Sequence, residues 1–346
     1  MKTILDVFSD AELLAYARAL PANQAFIGHL LFPNKTQNSL DFKYIKGYQK
    51  SSAVMASVQT FGAEASIAQR EFGYSYVEGS IPPIKRKIVI NEEELIKFYS
   101  PRLNTDDQDA AIDAIYNDVD NMVESVYNRI EWMRWKAIVD GKIELNELGI
   151  KLSVDYGYVS DQKETLTGTA LWSDHTNSNP IDDIRRWCDA VEVRTGIRPT
   201  RAVTSVEAMG HILLNAKVRA MVWGDNATMK PVTWNDINAL FDAFRLPPIV
   251  TYEATVRAEN RAGVISTERL LPAAKFVLLP PNALGDTLYG PTAEALNNHN
   301  IDRKLAPGII AQVFKTDEPP AHWTKAAAVA IPTFPNADLP FIATVL

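Results

Sequence analysis

Cysteine is almost missing from this chain. Of 346 residues only Cys188 carries a thiol, which excludes an internal disulfide and any cysteine-cluster metal site. A basic excess is missing too. The 35 Lys and Arg stand against 42 Asp and Glu, a formal net charge of -7, so no general affinity for nucleic acid or acidic membrane is expected. No stretch approaches the roughly 18 apolar residues that a membrane span needs. At the N-terminus Asp6, Asp10 and Glu12 interrupt the apolar run that a secretory signal requires. Glycine-rich phosphate cradles and nucleophile elbows are absent: there is no G-x-x-x-x-G-K-[ST], no G-x-G-x-x-G after a strand and no G-x-S-x-G. Nor is there a repeat of 20–50 residues or a heptad run long enough for a coiled coil.

What is present is ordinary in bulk and unusual in arrangement. A content of 47% apolar and 22% charged residues is that of a globular protein with a sizeable core. The length allows two domains, or one large one with excursions. From Thr105 to about Asp140 there is neither Pro nor Gly. Ile112, Ile115, Val119, Met122, Val126, Ile130, Met133 and Ala137 recur at helical spacing, while Asp113, Asp120, Glu124 and Glu131 lie largely off that stripe. Thr105 with Gln108 suits a capping box, and Gly141 stands where a stop belongs. Such a helix runs about 50 Å. That is about the diameter of a compact sphere of this chain length. The pattern predicts a plate or rod built along one helix, a shape more common in parts of assemblies than in monomeric enzymes.

The flanks read differently. Residues 4–20 predict a short amphipathic helix. Residues 21–35 hold a sticky run, Phe26 to Phe32, that reads as an arm in need of another surface. Leu40, Phe42 and Tyr44 alternate with polar neighbours, as do Phe72, Tyr74 and Tyr76. Between them Ser51 to Ala68 is too poor in large apolar residues to build a core. A two-stranded excursion of this kind is marginal alone, so its natural partner is a neighbouring molecule. After the long helix, strands are predicted around Ile143–Leu145 and Leu152–Tyr158. An α/β pattern follows to about residue 305: a helix over 180–195, a strand at Ala202–Thr204, helices at Val206–Trp223 and Trp234–Phe244, and strands at Ile249–Tyr252, Lys275–Leu279 and Gly285–Tyr289. The tail returns to strands at Ile309–Phe314, Ala326–Ile331 and Phe341–Leu346, punctuated by five prolines that suit edges and turns.

Candidate chemistry is thin. The histidines are His29, His175, His211, His299 and His322, and no two fall at i, i+4 on a helix. Asp174-His175 followed by Asp182-Asp183 offers the best acid–base or metal constellation. A hydrolase would use His175 as ligand or base with Asp174 or Asp182 as its partner. The same residues also read as a polar loop and a helix whose first turn carries acids that suit its dipole. His211 sits on a largely apolar helix and Cys188 beside Trp187, both as packed residues. Lys85-Arg86-Lys87 reads as a solvated edge or a contact to an acidic neighbour. Asp106, Asp107 and Asp109 lack the loop glycine and closing Glu of a calcium loop. Trp132 and Trp135 read as core or interface packing rather than a stacking platform. No catalytic, cofactor-binding or metal-binding residue is therefore assigned.

The order of elements carries more than any residue. It includes Leu31-Phe32-Pro33, the return at Pro82-Pro83-Ile84, and the helix end from Arg129-Ile130-Glu131 to Asp140-Gly141. Val154-Asp155-Tyr156-Gly157, Leu171-Trp172-Ser173-Asp174 with Pro180-Ile181-Asp182, and Ile331-Pro332-Thr333-Phe334-Pro335-Asn336 complete it. This succession resembles the major capsid proteins of tailed bacteriophages, most closely the phage lambda major head protein family. The resemblance implies an α+β tailed-phage capsid fold. Residues 1–35 would be an N-terminal arm and 36–90 an extended β-hairpin loop lying over an adjacent subunit. Residues 91–175 would form a peripheral domain with its spine helix at 105–140, 176–305 an axial α/β domain, and 306–346 strands returning to the peripheral domain. The function it implies is a major head protein that self-assembles into hexamers and pentamers of an icosahedral shell around double-stranded DNA, with no enzyme activity and no cofactor. Its partners would be copies of itself, a scaffold, a portal, a decoration protein where one is used, and packaged DNA through weak non-specific contact, with no membrane. Assembly would take place in the host cytoplasm and the product would be the virion capsid. Some capsids of this fold are cross-linked through Lys and Asn, but nothing marks such a pair here. Two other readings are a hydrolase built on His175 and a different virion structural protein.

Overall fold

The computed structural model describes residues 10–21, 23–46, 58, 75–90, 92, 93, 96, 105–147, 150–224, 230–259, 263–297 and 307–346; the side chains of 10, 11, 46, 75 and 105–115 are outside that description. In chain order the elements begin with helices α1 (Asp10–Ala19) and α2 (Gly28–Leu31), then strands β1 (Asn34–Thr36), β2 (Asp41–Lys46), β3 (Ser75–Ser80) and β4 (Pro83–Ile90). The long helix α3 (Thr105–Asp140) follows, with β5 (Lys142–Glu147), β6 (Ile150–Asp155) and β7 (Lys163–Thr165). Next come α4 (Pro180–Thr195), β8 (Arg201–Thr204), α5 (Val206–Leu214), α6 (Ala216–Trp223), α7 (Trp234–Phe244) and β9 (Ile249–Thr251). The chain closes with β10 (Thr255–Glu259), β11 (Ile265–Arg269), β12 (Lys275–Leu279), β13 (Thr287–Tyr289), α8 (Ala293–Asn297), β14 (Ile310–Asp317), β15 (Pro320–Pro332) and β16 (Phe341–Thr344).

Two sheets organise these elements. In the first, the thirteen-residue β15 pairs antiparallel with β4, β13 and β14, and β1 adds in parallel to β13. The second has the order β7-β16-β12-β8-β9. Side chains alternate across a strand, and this second sheet uses both faces. Ala202, Phe276, Leu278, Phe341 and Ala343 pack with the buried faces of α4, α5 and α7. Val203, Val277, Leu279 and Ile342 point the other way, into the core built on α3 and the first sheet. Three separate hairpins, β2–β3, β5–β6 and β10–β11, project from this frame.

Without Pro or Gly the 36 residues of α3 run unbroken, about 54 Å at the usual rise. Gly141 ends it at φ 70°, its N–H returning to the Ala137 carbonyl at 3.1 Å. A Cβ at that position would lie 2.6 Å from the Tyr158 ring, so only glycine suits both the backbone and the packing. From Ile130 to Val139 the helix is enclosed on nearly every side, with Trp132 and Lys136 half-buried. The helix α4 opens on Pro180 and closes on Gly196 at φ 76°, the expected asymmetry of starts and stops.

Several expectations need correcting. The stretch 206–223 is not one helix: the Asn215 side chain accepts from the N–H groups of Lys217 and Val218 at 3.0 and 3.2 Å and starts a second one. The strand near 285–289 belongs to the first sheet, not to the α/β region. Of the tail strands, β14 and β15 lie in the first sheet, whereas β16 pairs with β12 and β7 in the second. The run Phe26–Phe32 does not wait for another surface, because Phe26, Leu31 and Phe32 are buried in this chain's own core. Ser51–Ala68, Phe72 and Tyr74 lie outside the described residues, apart from Val58, as do the side chains of the Thr105–Gln108 capping box.

Candidate functional site

The arm is held by a buried carboxylate. Glu131, fully buried on α3, accepts the Gly28 N–H at 2.8 Å, the Trp135 indole N–H at 3.1 Å and the Tyr252 hydroxyl at 3.1 Å, all through Oε1. Its Oε2 meets the Arg134 guanidinium at 3.2 Å. Arg134 in turn donates to Thr287 Oγ1 at 2.9 Å and Asn34 Oδ1 at 2.8 Å, and Trp135 stacks on Tyr252 with ring centres 4.5 Å apart. A buried ion pair persists only when its remaining donors and acceptors are satisfied, and here they are. The junction joins α2, α3, β1, β13 and the segment after β9. Glycine at 28 is required by proximity, since a Cβ there would lie 2.6 Å from Glu131 Oε1. Nothing in the local pattern marks this centre: Glu131 sits off the apolar stripe, and of its partners only Arg134 and Trp135 are near in sequence, whereas Gly28 and Tyr252 are 103 and 121 residues away.

The hairpin β2–β3 presents two unlike faces. Phe42 and Val77 are buried, and Tyr44 accepts the Phe334 N–H through its hydroxyl at 3.2 Å. Phe334 also contacts the rings of Phe32, Tyr156 and Tyr158. The other face carries the directly opposed pair Ile45 and Tyr76, 45% and 53% exposed. Lys43 lies 4.8 Å over the Tyr76 ring and 3.2 Å from Glu78. This face is apolar at its centre and charged at its rim.

The hairpin β10–β11 lies across α3 through polar contacts. Glu268 accepts from the Trp132 indole at 3.1 Å and pairs with Lys136 at 3.2 Å, while Arg86 of β4 reaches Glu259 at 3.2 Å. Lys85 pairs with Glu294 at 2.7 Å and Lys87 lies 3.9 Å over the Trp323 ring. The basic run therefore serves contacts inside the chain.

The hydrolase constellation does not form. Asp174 caps its own turn, accepting from the N–H groups of Thr176 and Asn177 and from the Asn177 amide. Its carboxyl is held below the usual range, first by that Asn177 side chain. Asp182 is engaged by Asn179 and Arg185, and Asp183 by Trp172 and Arg186. His175 instead meets His211, ring nitrogens 2.8 Å apart. An open depression of about 440 Å³ is lined by Asp182, Asp183, Arg185, Arg186 and Asp189 and does not include His175. Cys188 is buried, its thiol pushed up to about 12 by desolvation, which leaves it unreactive. Among the described residues no cluster of three or more His, Cys, Asp or Glu could hold a metal ion, and no helix is long and apolar enough to cross a membrane. The side chains of Asp106, Asp107 and Asp109, and all of His299, lie outside the description.

The described residues thus form a frame of one long helix, two sheets and projecting hairpins, with no catalytic group assembled among them. Residues 9–345 match the model of the phage major capsid protein E family. The chain belongs to that family. No curated protein matches it. Among solved structures, a candidate capsid protein of a prophage in E. coli CFT073 superposes with a TM-score of 0.62 at 14% identity, over 98% of this chain and 99% of that one. A phage-related protein from Bordetella bronchiseptica RB50 gives 0.58 at 16% identity, over 96% of each. The mature capsid of bacteriophage PhiM1 gives 0.50 at 11% identity, over 94% and 88%. At such identities the likeness shows the fold, which is that of tailed-phage capsid proteins. This phage major capsid protein is a structural protein of the virion and not an enzyme, and it acts by associating with copies of itself.

Proposed function

We propose that this capsid protein builds hexamers and pentamers of an icosahedral shell around double-stranded DNA, assembled in the host cytoplasm with a scaffold and a portal, and with a decoration protein where one is used. The observation that carries the reading is the two-faced β2–β3 hairpin, one face fastened to Phe334 and the other presenting Ile45 and Tyr76 to solvent. In this reading residues 36–90 form a loop that lies on an adjacent subunit, with 1–35 the arm, 91–175 and 306–346 peripheral, and 176–305 axial. On this division the second sheet draws strands from both the peripheral and the axial parts. A net charge of -7 suits a wall that meets DNA weakly and does not grip it.

The test is expression with the scaffold followed by negative-stain microscopy, comparing wild type with Ile45→Asp/Tyr76→Asp. Wild type should give closed shells, and the double variant should give folded subunits that do not close. Shells formed equally well by the variant would overturn the role of the hairpin. Rings of fixed number without shells would point to another virion component.

A further inference from the structure

We propose that His175 and His211 form a two-imidazole site for a divalent cation of the copper or nickel class. The two residues are 36 positions apart, one in the loop before α4 and the other on α5, and their Nε2 and Nδ1 atoms lie 2.8 Å apart. Imidazole nitrogens suit copper, nickel and zinc alike, and among divalent cations the affinity of a nitrogen site peaks at Cu²⁺, with Ni²⁺ next to it in the series. The ring planes are inclined by 37°, and both residues are half-buried. Metal binding requires no net proton release from the neutral pair. The proton between the rings moves to the far nitrogen of the ring that carries it, both facing nitrogens become lone-pair donors, and each ring turns about 45° so that they converge.

The backbone around the pair is already fixed. The His175 carbonyl accepts the Ala216 N–H at 2.8 Å. Asn215 holds Ser178 Oγ at 2.8 Å, and Lys217 donates to the Asn177 carbonyl at 2.5 Å. His211 is set between the buried Met209 and Ile212. The Asp174 carboxylate, next in the chain to His175, adds negative charge close by. Since no third His, Cys, Asp or Glu joins the pair among the described residues, water completes the coordination. The cation would clamp the 171–179 loop to the α5–α6 elbow.

The test is a Cu²⁺ titration of the full-length chain followed by electron paramagnetic resonance, on wild type, His175→Gln and His211→Gln. Glutamine retains hydrogen-bonding capacity and removes the imidazole donor. Wild type should bind one equivalent with the hyperfine pattern of two nitrogens. Either variant should weaken binding by at least about tenfold, since even outer-shell partners of a ligand are worth that much. Cu²⁺ or Ni²⁺ should raise Tm in wild type and in neither variant. Equal binding in all three proteins would overturn the site and assign the copper to other groups. A wild-type spectrum without two nitrogen ligands would do the same. Because the two variants alter different elements, misfolding of one leaves the other as the deciding comparison.

Discussion

Glu131→Gln is the sharpest probe of how the arm is fastened. The substitution is nearly isosteric, so it opens no cavity, and the amide oxygen can still accept from Gly28, Trp135 and Tyr252. What it removes is the anion beside Arg134, a side chain only 5% exposed. Arg134 then keeps two neutral acceptors, Thr287 and Asn34, and faces an amide that cannot neutralise it. Breaking a buried pair by deleting one partner costs about 3–5 kcal/mol. Replacing Arg134 by Met in the same chain removes the stranded cation, so the double variant should recover part of the loss, with a coupling of about 1–3 kcal/mol. Guanidinium unfolding of the unassembled subunit reads both quantities, and hydrogen exchange at Gly28 reports the arm directly. A loss below about 1 kcal/mol for Glu131→Gln, or strict additivity in the cycle, would refute the account of this junction.

Three further perturbations test other contacts. At Glu294 burial alone would raise the carboxyl, but Lys325 and Lys85 hold it down to about 2. Its folded value lies below its unfolded one, so its contribution is present above pH 4.5 and is lost as pH falls toward 2. Urea unfolding of Glu294→Gln should show up to about 3 kcal/mol less stability at pH 7 and a flatter profile across that window. Glu268→Gln, which removes the anion facing Lys136 while its amide oxygen can still accept from Trp132, should cost only about 0.5–1 kcal/mol, screened by salt, while speeding amide exchange in the β10–β11 hairpin. Phe334→Ala empties the ring cluster of Phe32, Tyr156 and Tyr158 and should cost about 3–5 kcal/mol by thermal or chemical unfolding; a loss under about 1.5 kcal/mol would mean that the cluster collapses to fill the space.

What could be read in advance was local. The helix over 105–140 follows from an absence of breakers and a periodic stripe, and α4 from Pro180 and Gly196, signals carried within one or two turns. What escaped was non-local or polar. The start of α6 at Asn215 is a side-chain cap inside an apolar run, which hydrophobic periodicity passes over. The place of β16 beside β12 depends on pairing across about 65 residues, and no feature of Phe341–Thr344 names its neighbour. The support of the arm is invisible in sequence because Gly28, with no side chain to show, is bound by Glu131 through its backbone. His211 read as a packed residue because its partner lies on another element.

The internal satisfaction of the arm changes where the energy of assembly must come from. A subunit whose arm needs a neighbour would be bound to it by core-like burial. Here Phe26, Leu31 and Phe32 are already buried within the chain, so among the described residues the apolar surface left over is dispersed: Ile45 and Tyr76 on one hairpin, Val193 at 82% exposure on α4, and Val264 and Ile265 on another hairpin. Half-exposed side chains of this kind gain about 1 kcal/mol each when covered. In the proposed shell a single contact through these residues would be weak and reversible, and the lattice would hold because every subunit makes several at once. Such an arrangement would let misplaced subunits leave before closure. It also predicts that stability of the subunit and of the shell can be altered separately, through Glu131 in the first case and through Ile45 with Tyr76 in the second.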